Sequence, residues 1–261
     1  IKLCIERGAD INRLSGSGLT PLLYLCQKPV CNMKIFYWLI QHGANTEYAM
    51  TTAVEAGNTE VIRYFLKNSD KISPNTGTLY KNNRLIELND TTSVDKVFSN
   101  KERKSLSMLQ IAACFNHCEV ISVLLEEKFS LIDEKNNEGN TALHLALLFN
   151  HTEAAACLLK HGANPSIINE NGDTPLHYWA MMLLMQNKFR HHRGLVIKYR
   201  EVSVIQVGQM LLNAKVDINA VNKQQKTPLD IAIGRTSYND KDNKAIVKLL
   251  KTNGAKQFNY L

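Results

Sequence analysis

The sequence predicts an all-α solenoid made of stacked helix-turn-helix units. The first observation is a repeated motif: Thr141-Ala142-Leu143-His144 returns 33 residues later as Thr174-Pro175-Leu176-His177. Ser107-Met108-Leu109-Gln110 precedes the first of these by 34 residues. The second observation is that each motif is followed by an apolar run that ends in a turn, such as Leu158–Gly162. A fixed period of this length is typical of repeat architectures.

The start of each motif has the chemistry of a helix N-terminus. Two further copies read Thr20-Pro21-Leu22-Leu23 and Thr227-Pro228-Leu229-Asp230. Thr is a good N-cap, and Pro suits the first helical position because its missing N–H has no partner there. We call the Thr or Ser that opens each motif its anchor, and we predict that helix one of each unit begins directly after it.

The end of each unit is marked by glycine. Gly43, Gly162 and Gly254 each follow an apolar helical run, at the position where a helix commonly ends in a left-handed turn. The segments between units, such as Asn169–Asp173, are rich in Asn, Asp and Gly and have the composition of tight turns. Each unit is therefore predicted to be two helices followed by a turn.

These motifs resemble the ankyrin repeat over essentially the whole chain. The resemblance implies that turns between units project as fingers, and that the fingers and helix one line a groove for a protein partner. It also implies that His144 and His177, in the fourth place of the motif, form hydrogen bonds between neighbouring repeats. A catalytic role for these histidines is not expected.

We interpret residues 1–261 as one domain of such repeats. The first repeat is expected to be partial, because Arg7-Gly8-Ala9-Asp10 already matches the end of a second helix. A degenerate repeat is predicted near 80, where apolar residues fit but the Thr-Pro and Gly signals are missing; residues 70–104 forming a long loop is the alternative. The predicted starts are near 1 (partial), 20, 48, 80 (degenerate), 107, 141, 174 and 227.

The repeat at 174 contains an insertion. Its anchor and Lys215, at its glycine position, are 41 residues apart, against 21 from Thr141 to Gly162. We predict that residues 180–189 and 202–212 extend both helices into a protruding hairpin, with the insertion at about 186–205. Five basic residues lie near its tip: Lys188, Arg190, Arg193, Lys198 and Arg200. Removing them from the net charge of +7 leaves +2, so the basicity is expected to be largely local.

Two interpretations of this basic hairpin stay open. Clustered Lys and Arg bind phosphate or carboxylate oxygens well, which suits an anionic lipid, a nucleic acid or an acidic protein surface. The alternative is a solvated turn in which the charges only keep the tip soluble. Nucleic acid is the less favoured ligand because no recognition fold for DNA or RNA accompanies the patch.

The candidate binding residues lie seven and eight places after three successive anchors. These positions hold Cys114 and Phe115, then Leu148 and Phe149, then Met181 and Met182. Exposed apolar side chains in a row would form a binding stripe, whereas a hairpin folded back over them would make them core. A polar rim of mixed sign is predicted at the neighbouring fingers, from Arg103, Lys104, Asn137, Glu138, Asn140, Glu170, Asn171 and Asp173. Such a surface suits an amphipathic helix or an extended peptide.

Other function classes find little support in the sequence. There is no phosphate-binding loop, no HExxH pair and no Gly-x-Ser-x-Gly elbow, so we expect neither an enzyme nor a cofactor. The six cysteines lack disulfide or zinc spacing; Cys114 and Cys118 flank His117, but we interpret them as small hydrophobic residues and expect no metal. No apolar run is long enough to cross a membrane, and reduced cysteines favour the cytoplasm.

The predicted function is therefore that of a monomeric protein-protein interaction module. Irregular arrays of this kind resemble those that intracellular bacteria deliver into host cells and those of large DNA viruses, which suggests a host-directed effector acting in the host cytoplasm; an ordinary cytosolic scaffold or inhibitor is the alternative. Two alternatives stay open: the array targets an attached enzyme, or the basic hairpin binds anionic lipid or nucleic acid.

Overall fold

The computed structural model describes residues 2–68, 80–81, 84–85, 106–128, 130–181, 203–234 and 241–258. This part of the chain is helical except for one short hairpin. The chain divides into two compact units, residues 1–130 and residues 131–261. None of the described helices is long and apolar enough to cross a membrane.

The first unit consists of short paired helices. Most pairs are a helix one and a helix two joined by a tight turn. The helices are α1 (Lys2–Glu6), α2 (Pro21–Cys26), α3 (Met33–Gln41), α4 (Ala49–Ala56), α5 (Thr59–Lys67), α6 (Met108–Cys114) and α7 (Cys118–Glu126).

In the first unit, first helices pack against first helices, and second helices pack against second helices. The first helices pack in the order α2, α4, α6, and α5 packs against α7. Between α3 and α5, the buried rings of Phe36 and Phe65 meet edge to face, with centroids 6.0 Å apart. One close contact joins the last two pairs: a side chain at Gly57 would place its Cβ 2.9 Å from the imidazole of His117. Glycine at this position therefore lets α6 and α7 approach α4.

The stretch between α5 and α6 bears on the repeat predicted near 80. Its described residues form a two-residue antiparallel pair, β1 (Tyr80–Lys81) with β2 (Arg84–Leu85), and not a helix. Since α4 and α5 pack directly on α6 and α7, the helix pairs on either side are neighbours. This arrangement favours the loop alternative; the repeat near 80 stays a prediction, because most of it lies outside the described residues.

The second unit has the same helix pairs. Helix α10 spans residues 175–181 in the described part of the chain. The others are α8 (Ala142–Leu148), α9 (Thr152–Lys160), α11 (Val204–Asn213), α12 (Pro228–Ile233) and α13 (Lys241–Thr252). The second helices α9, α11 and α13 pack in that order.

The helix boundaries confirm the local predictions. Thr20 and Thr227 are N-caps whose side chains accept from the third helical N–H, and each is followed by Pro. Gly43, Gly162 and Gly254 have φ of 85°, 89° and 86°, as the left-handed turn requires. Residues next to each helix end therefore determine where these helices begin and end.

Helix two of the repeat at 174 begins slightly later than predicted, and most of the rest of the predicted hairpin lies outside the described residues. Helix α11 has 10 residues, close to the 9 of α9. Ser203 caps it: its Oγ accepts from the Gln206 N–H, and the Gln206 side chain accepts from the Ser203 N–H. This reciprocal capping fixes the helix start at Val204, two residues later than predicted.

A tryptophan joins the two helices on either side of the insertion. Trp179 on α10 is fully buried, and its Nε1–H donates to the Val204 carbonyl at 2.8 Å. Gly208 on α11 leaves room for the indole, since a Cβ there would overlap the ring. The preceding repeat has Ala146 and Ala155 at the equivalent positions. One large and one very small residue thus replace a pair of alanines.

Candidate protein-binding surface

The turns of the second unit are built around an asparagine. We call residues 136–140, 169–173 and 222–226 its first, second and third fingers; each opens with Asn136, Asn169 or Asn222. The Oδ1 of each asparagine accepts two backbone N–H groups of its own finger, two and four residues on, at 2.9 to 3.0 Å. The side chain therefore fixes the shape of the turn from within.

Neighbouring fingers are joined by backbone hydrogen bonds. The Glu170 N–H donates to the Glu138 carbonyl, and the Lys223 N–H donates to the Asn171 carbonyl, both at 2.9 Å. Side chains repeat the link, because Asn169 Nδ2 donates to Asn140 Oδ1 at 2.9 Å, and Asn222 Nδ2 donates to Asp173 Oδ1 at 2.7 Å. The three fingers are consequently held in one register before any partner arrives.

Glycine at the fourth place of a finger makes this close approach possible. A Cβ on Gly139 would lie 2.8 Å from the Glu170 nitrogen, and one on Gly172 would lie 3.1 Å from the Lys223 nitrogen. Both glycines have positive φ, 74° and 75°. The third finger has Gln225 at this place, with φ of 56°.

The predicted polar rim is only partly exposed. Asn137, Glu138, Glu170 and Asn171, at the tips of the first two fingers, are exposed. The other two described rim residues, Asn140 and Asp173, are buried, so the expectation that they face solvent is wrong. Arg103 and Lys104 lie outside the described residues.

Two exposed apolar residues beside the fingers were missed by the sequence analysis. Ile168 and Val221 stand directly before the asparagines of the second and third fingers and are 53% and 45% exposed. On the neighbouring first finger this place is taken by Lys135, whose Nζ donates to the Ile168 carbonyl at 2.9 Å. The asparagine that recurs at the start of each finger was the signal that could have located these two residues.

The motif histidines hold the fingers onto helix one. His144 Nδ1 accepts from the Thr141 N–H at 3.2 Å, and its Nε2 lies 3.2 Å from the Asp173 carbonyl. Since a carbonyl only accepts, Nε2 carries the proton and the ring is neutral. His177 makes the same contacts with Thr174 and with the Lys226 carbonyl.

Burial sets the titration of these histidines. Desolvation lowers the pKa of His144 to about 4, although the Asp173 carbonyl works in the opposite direction. Desolvation also lowers the pKa of His177. Both rings therefore serve as neutral links between repeats.

The predicted apolar stripe is only partly exposed. Cys114 and Phe149 are buried, with 1% and 7% of their surface accessible, so the expectation that they face solvent is wrong. Phe115, Leu148 and Met181 are half-buried and stay candidates for partner contact. Met182 and the basic hairpin (Lys188, Arg190, Arg193, Lys198 and Arg200) lie outside the described residues.

The burial of Phe149 follows from the length of helix one. Helices α6 and α8 have seven residues each, so the eighth place after the anchor is already the C-cap, Phe115 or Phe149. Each ring stacks on the histidine two residues later, His117 or His151, with centroids 6.2 and 6.1 Å apart. These phenylalanines pack in the turn between the two helices of a repeat.

His117 also has a structural partner instead of a metal. Its Nε2 lies 2.9 Å from the Glu55 carbonyl, which makes it a link between two helix pairs of the first unit. Burial lowers its pKa. Among the described residues, no group of three or more His, Cys, Asp or Glu side chains is arranged to hold a metal ion.

Comparison with known proteins agrees with this geometry. Residues 109–183 match the family description "Ankyrin repeats (3 copies)". The helix pairs, the fingers and this match support an all-α ankyrin-repeat fold for this chain. Ankyrin repeats are generally protein-interaction modules and typically have no catalytic activity of their own.

Two viral proteins are similar to this chain. A fowlpox virus protein named as ankyrin repeat protein FPV031 is 32% identical over 149 residues, which cover 56% of this chain and 38% of the relative. A second one, FPV222, is 27% identical over 118 residues, which cover 41% of this chain and 16% of the relative. The matched part is therefore less than two-fifths of the length of either relative.

Proposed function

We propose that this chain binds a protein partner through the finger surface of its second unit. The observation that carries the proposal is the pair Ile168 and Val221, two half-exposed apolar residues on adjacent fingers in fixed register. Burying such a side chain is worth roughly 1.5–3 kcal/mol, and fingers that are already ordered lose little entropy on binding. The exposed tips supply the polar edge that such an interface needs.

The partner is proposed to be an amphipathic helix or an extended peptide segment. Either one can set apolar side chains at the spacing of adjacent fingers and satisfy the polar tips at its edges. Leu148, at the end of α8, and Met181, the last described residue of α10, would extend the apolar contact beyond the fingers. The chain is proposed to act as a monomer in the cytoplasm, without catalysis.

A host-directed role is the finer part of the proposal. It is supported by the two similar proteins, both of which come from fowlpox virus. On this basis the partner is a protein of the host cell, and avian cells are the material in which to search for it.

Affinity purification from avian cell lysate tests the proposal. The double variant Ile168→Ser/Val221→Ser should lose the partner that the unaltered chain captures, with affinity reduced about tenfold or more. The matched control is Leu3→Ser/Val30→Ser, which removes exposed apolar residues of the first unit, 57% and 81% accessible. Equal capture by the finger variant would refute the finger surface. A partner present only in virus-infected cells would refute the host-directed role.

A further inference from the structure

The last described helix carries lysines on one face. Lys244, Lys248 and Lys251 are four and three residues apart, which places them on one side of α13. All three are exposed. The two fully buried residues of α13, Ile246 and Leu250, lie on the opposite side of the helix. The lysine face, defined as these three residues, thus points away from the core.

Further positive charge lies in the same stretch of the sequence. Residues 215–258 contain nine Lys or Arg and four Asp or Glu, so the basicity of the chain is not confined to the hairpin at 186–205, as the net charge alone had suggested. Among the side chains that the structure describes, the ion pair is Arg63–Glu127 at 4.0 Å, in the first unit. Four more exposed lysines belong to the same stretch: Lys215, Lys223, Lys226 and Lys256.

The third finger and α12 differ in their chemistry from the earlier repeats. Gln225 has a side chain where Gly139 and Gly172 admit the backbone of the next finger. Asp230 takes the place of the motif histidine, and its Oδ2 accepts from the Phe258 N–H at 3.0 Å.

We propose that the lysine face of α13 docks an acidic segment of the protein partner. The inference rests on the proposed function, since it adds a second, electrostatic contact to the partner held at the fingers. Three ammonium groups along about 10 Å of helix match carboxylates spaced along a peptide. Nucleic acid fits less well, because α13 has no aromatic residue for base stacking and no arginine for bidentate phosphate contacts.

The test is a binding assay with a fluorescent peptide of ten glutamates, followed by anisotropy at low and physiological salt. The triple variant Lys244→Gln/Lys248→Gln/Lys251→Gln should weaken binding about tenfold, and the affinity of the unaltered chain should fall as salt rises. The matched control is Lys34→Gln/Lys67→Gln/Lys128→Gln, which removes three exposed lysines of the first unit. The control should change the affinity less than twofold.

Other outcomes overturn the proposal. Equal weakening by both triple variants would mean that the peptide responds only to net charge. Tighter binding of ten-nucleotide DNA or of phosphatidylserine vesicles, dependent on the same three lysines, would assign the face to another ligand. The finger variant Ile168→Ser/Val221→Ser should bind the glutamate peptide normally, so failure of the finger surface and failure of the lysine face are separable.

Discussion

At the scale of single residues, the finger glycines make a specific prediction about stability. Gly139→Ala adds a Cβ within 2.8 Å of the Glu170 backbone nitrogen and places it at positive φ. The expected loss in the free energy of unfolding is about 2–4 kcal/mol, from left-handed strain and overpacking together. Urea denaturation measures it.

Gln225→Ala is the matched control for this glycine. Its φ is also positive, 56°, but its side chain is exposed. The control should change the free energy of unfolding by less than about 0.5 kcal/mol. Similar losses for both variants would contradict the role assigned to the approach between fingers.

The buried histidines predict that stability falls in mild acid. The pKa of His144 is about 4 in the folded state and near 6.5 when unfolded, so the unfolded chain binds the proton first as pH drops. Stability that is present above pH 6.5 should be lost progressively down to pH 4, by on the order of 3 kcal/mol for this one group. Thermal or urea unfolding across that range measures the loss.

Another repeat of the chain indicates which substitution can serve as the control for the acid effect. Gln110 stands at the same motif position in another repeat, where its side chain accepts from the Ser107 N–H at 3.0 Å. His144→Gln should keep this cap without a titrating group, and so flatten the pH dependence. An unchanged pH profile in this variant would show that other groups cause the acid sensitivity.

At the scale of the helical pair, the contact between Trp179 and Gly208 predicts that the effect of Gly208→Ala on stability changes sign when Trp179 is replaced by alanine. Gly208→Ala should destabilise the unaltered chain by about 2 kcal/mol or more, because the new methyl group overlaps the indole. In a Trp179→Ala background the same substitution should stabilise by up to about 1 kcal/mol, since alanine is the better helix former. The coupling is read from urea denaturation of the four proteins. Additive effects would mean that the two positions do not interact.

A feature can be predicted from the sequence when the residues that determine it lie next to it in the chain. Thr20, Thr227 and Gly162 act on the helix end beside them, so a single chain is enough to recognise them. The exposure of Phe149 depends on where α8 ends and on the ring of His151, neither of which the repeat period reveals. The link from Asn169 to Asn140 was hidden for a similar reason, because it depends on the approach of two fingers.

At the scale of the whole molecule, the direct packing of α4 and α5 on α6 and α7 predicts that residues 70–104 can be replaced by a finger-length turn. The shortened chain should unfold cooperatively, with a free energy within about 1 kcal/mol of the original, since a shorter loop costs little closure entropy. Urea denaturation followed by circular dichroism checks this. Loss of cooperative unfolding would instead support a repeat near 80.

Hydrogen-deuterium exchange on the purified complex tests whether a protein partner binds on the fingers of the second unit. Binding there predicts slower exchange at residues 137–138, 168–171 and 221–224, with exchange in α3 and α5 of the first unit unchanged. Protection confined to α3 and α5, with the fingers exchanging as in the free chain, would contradict it.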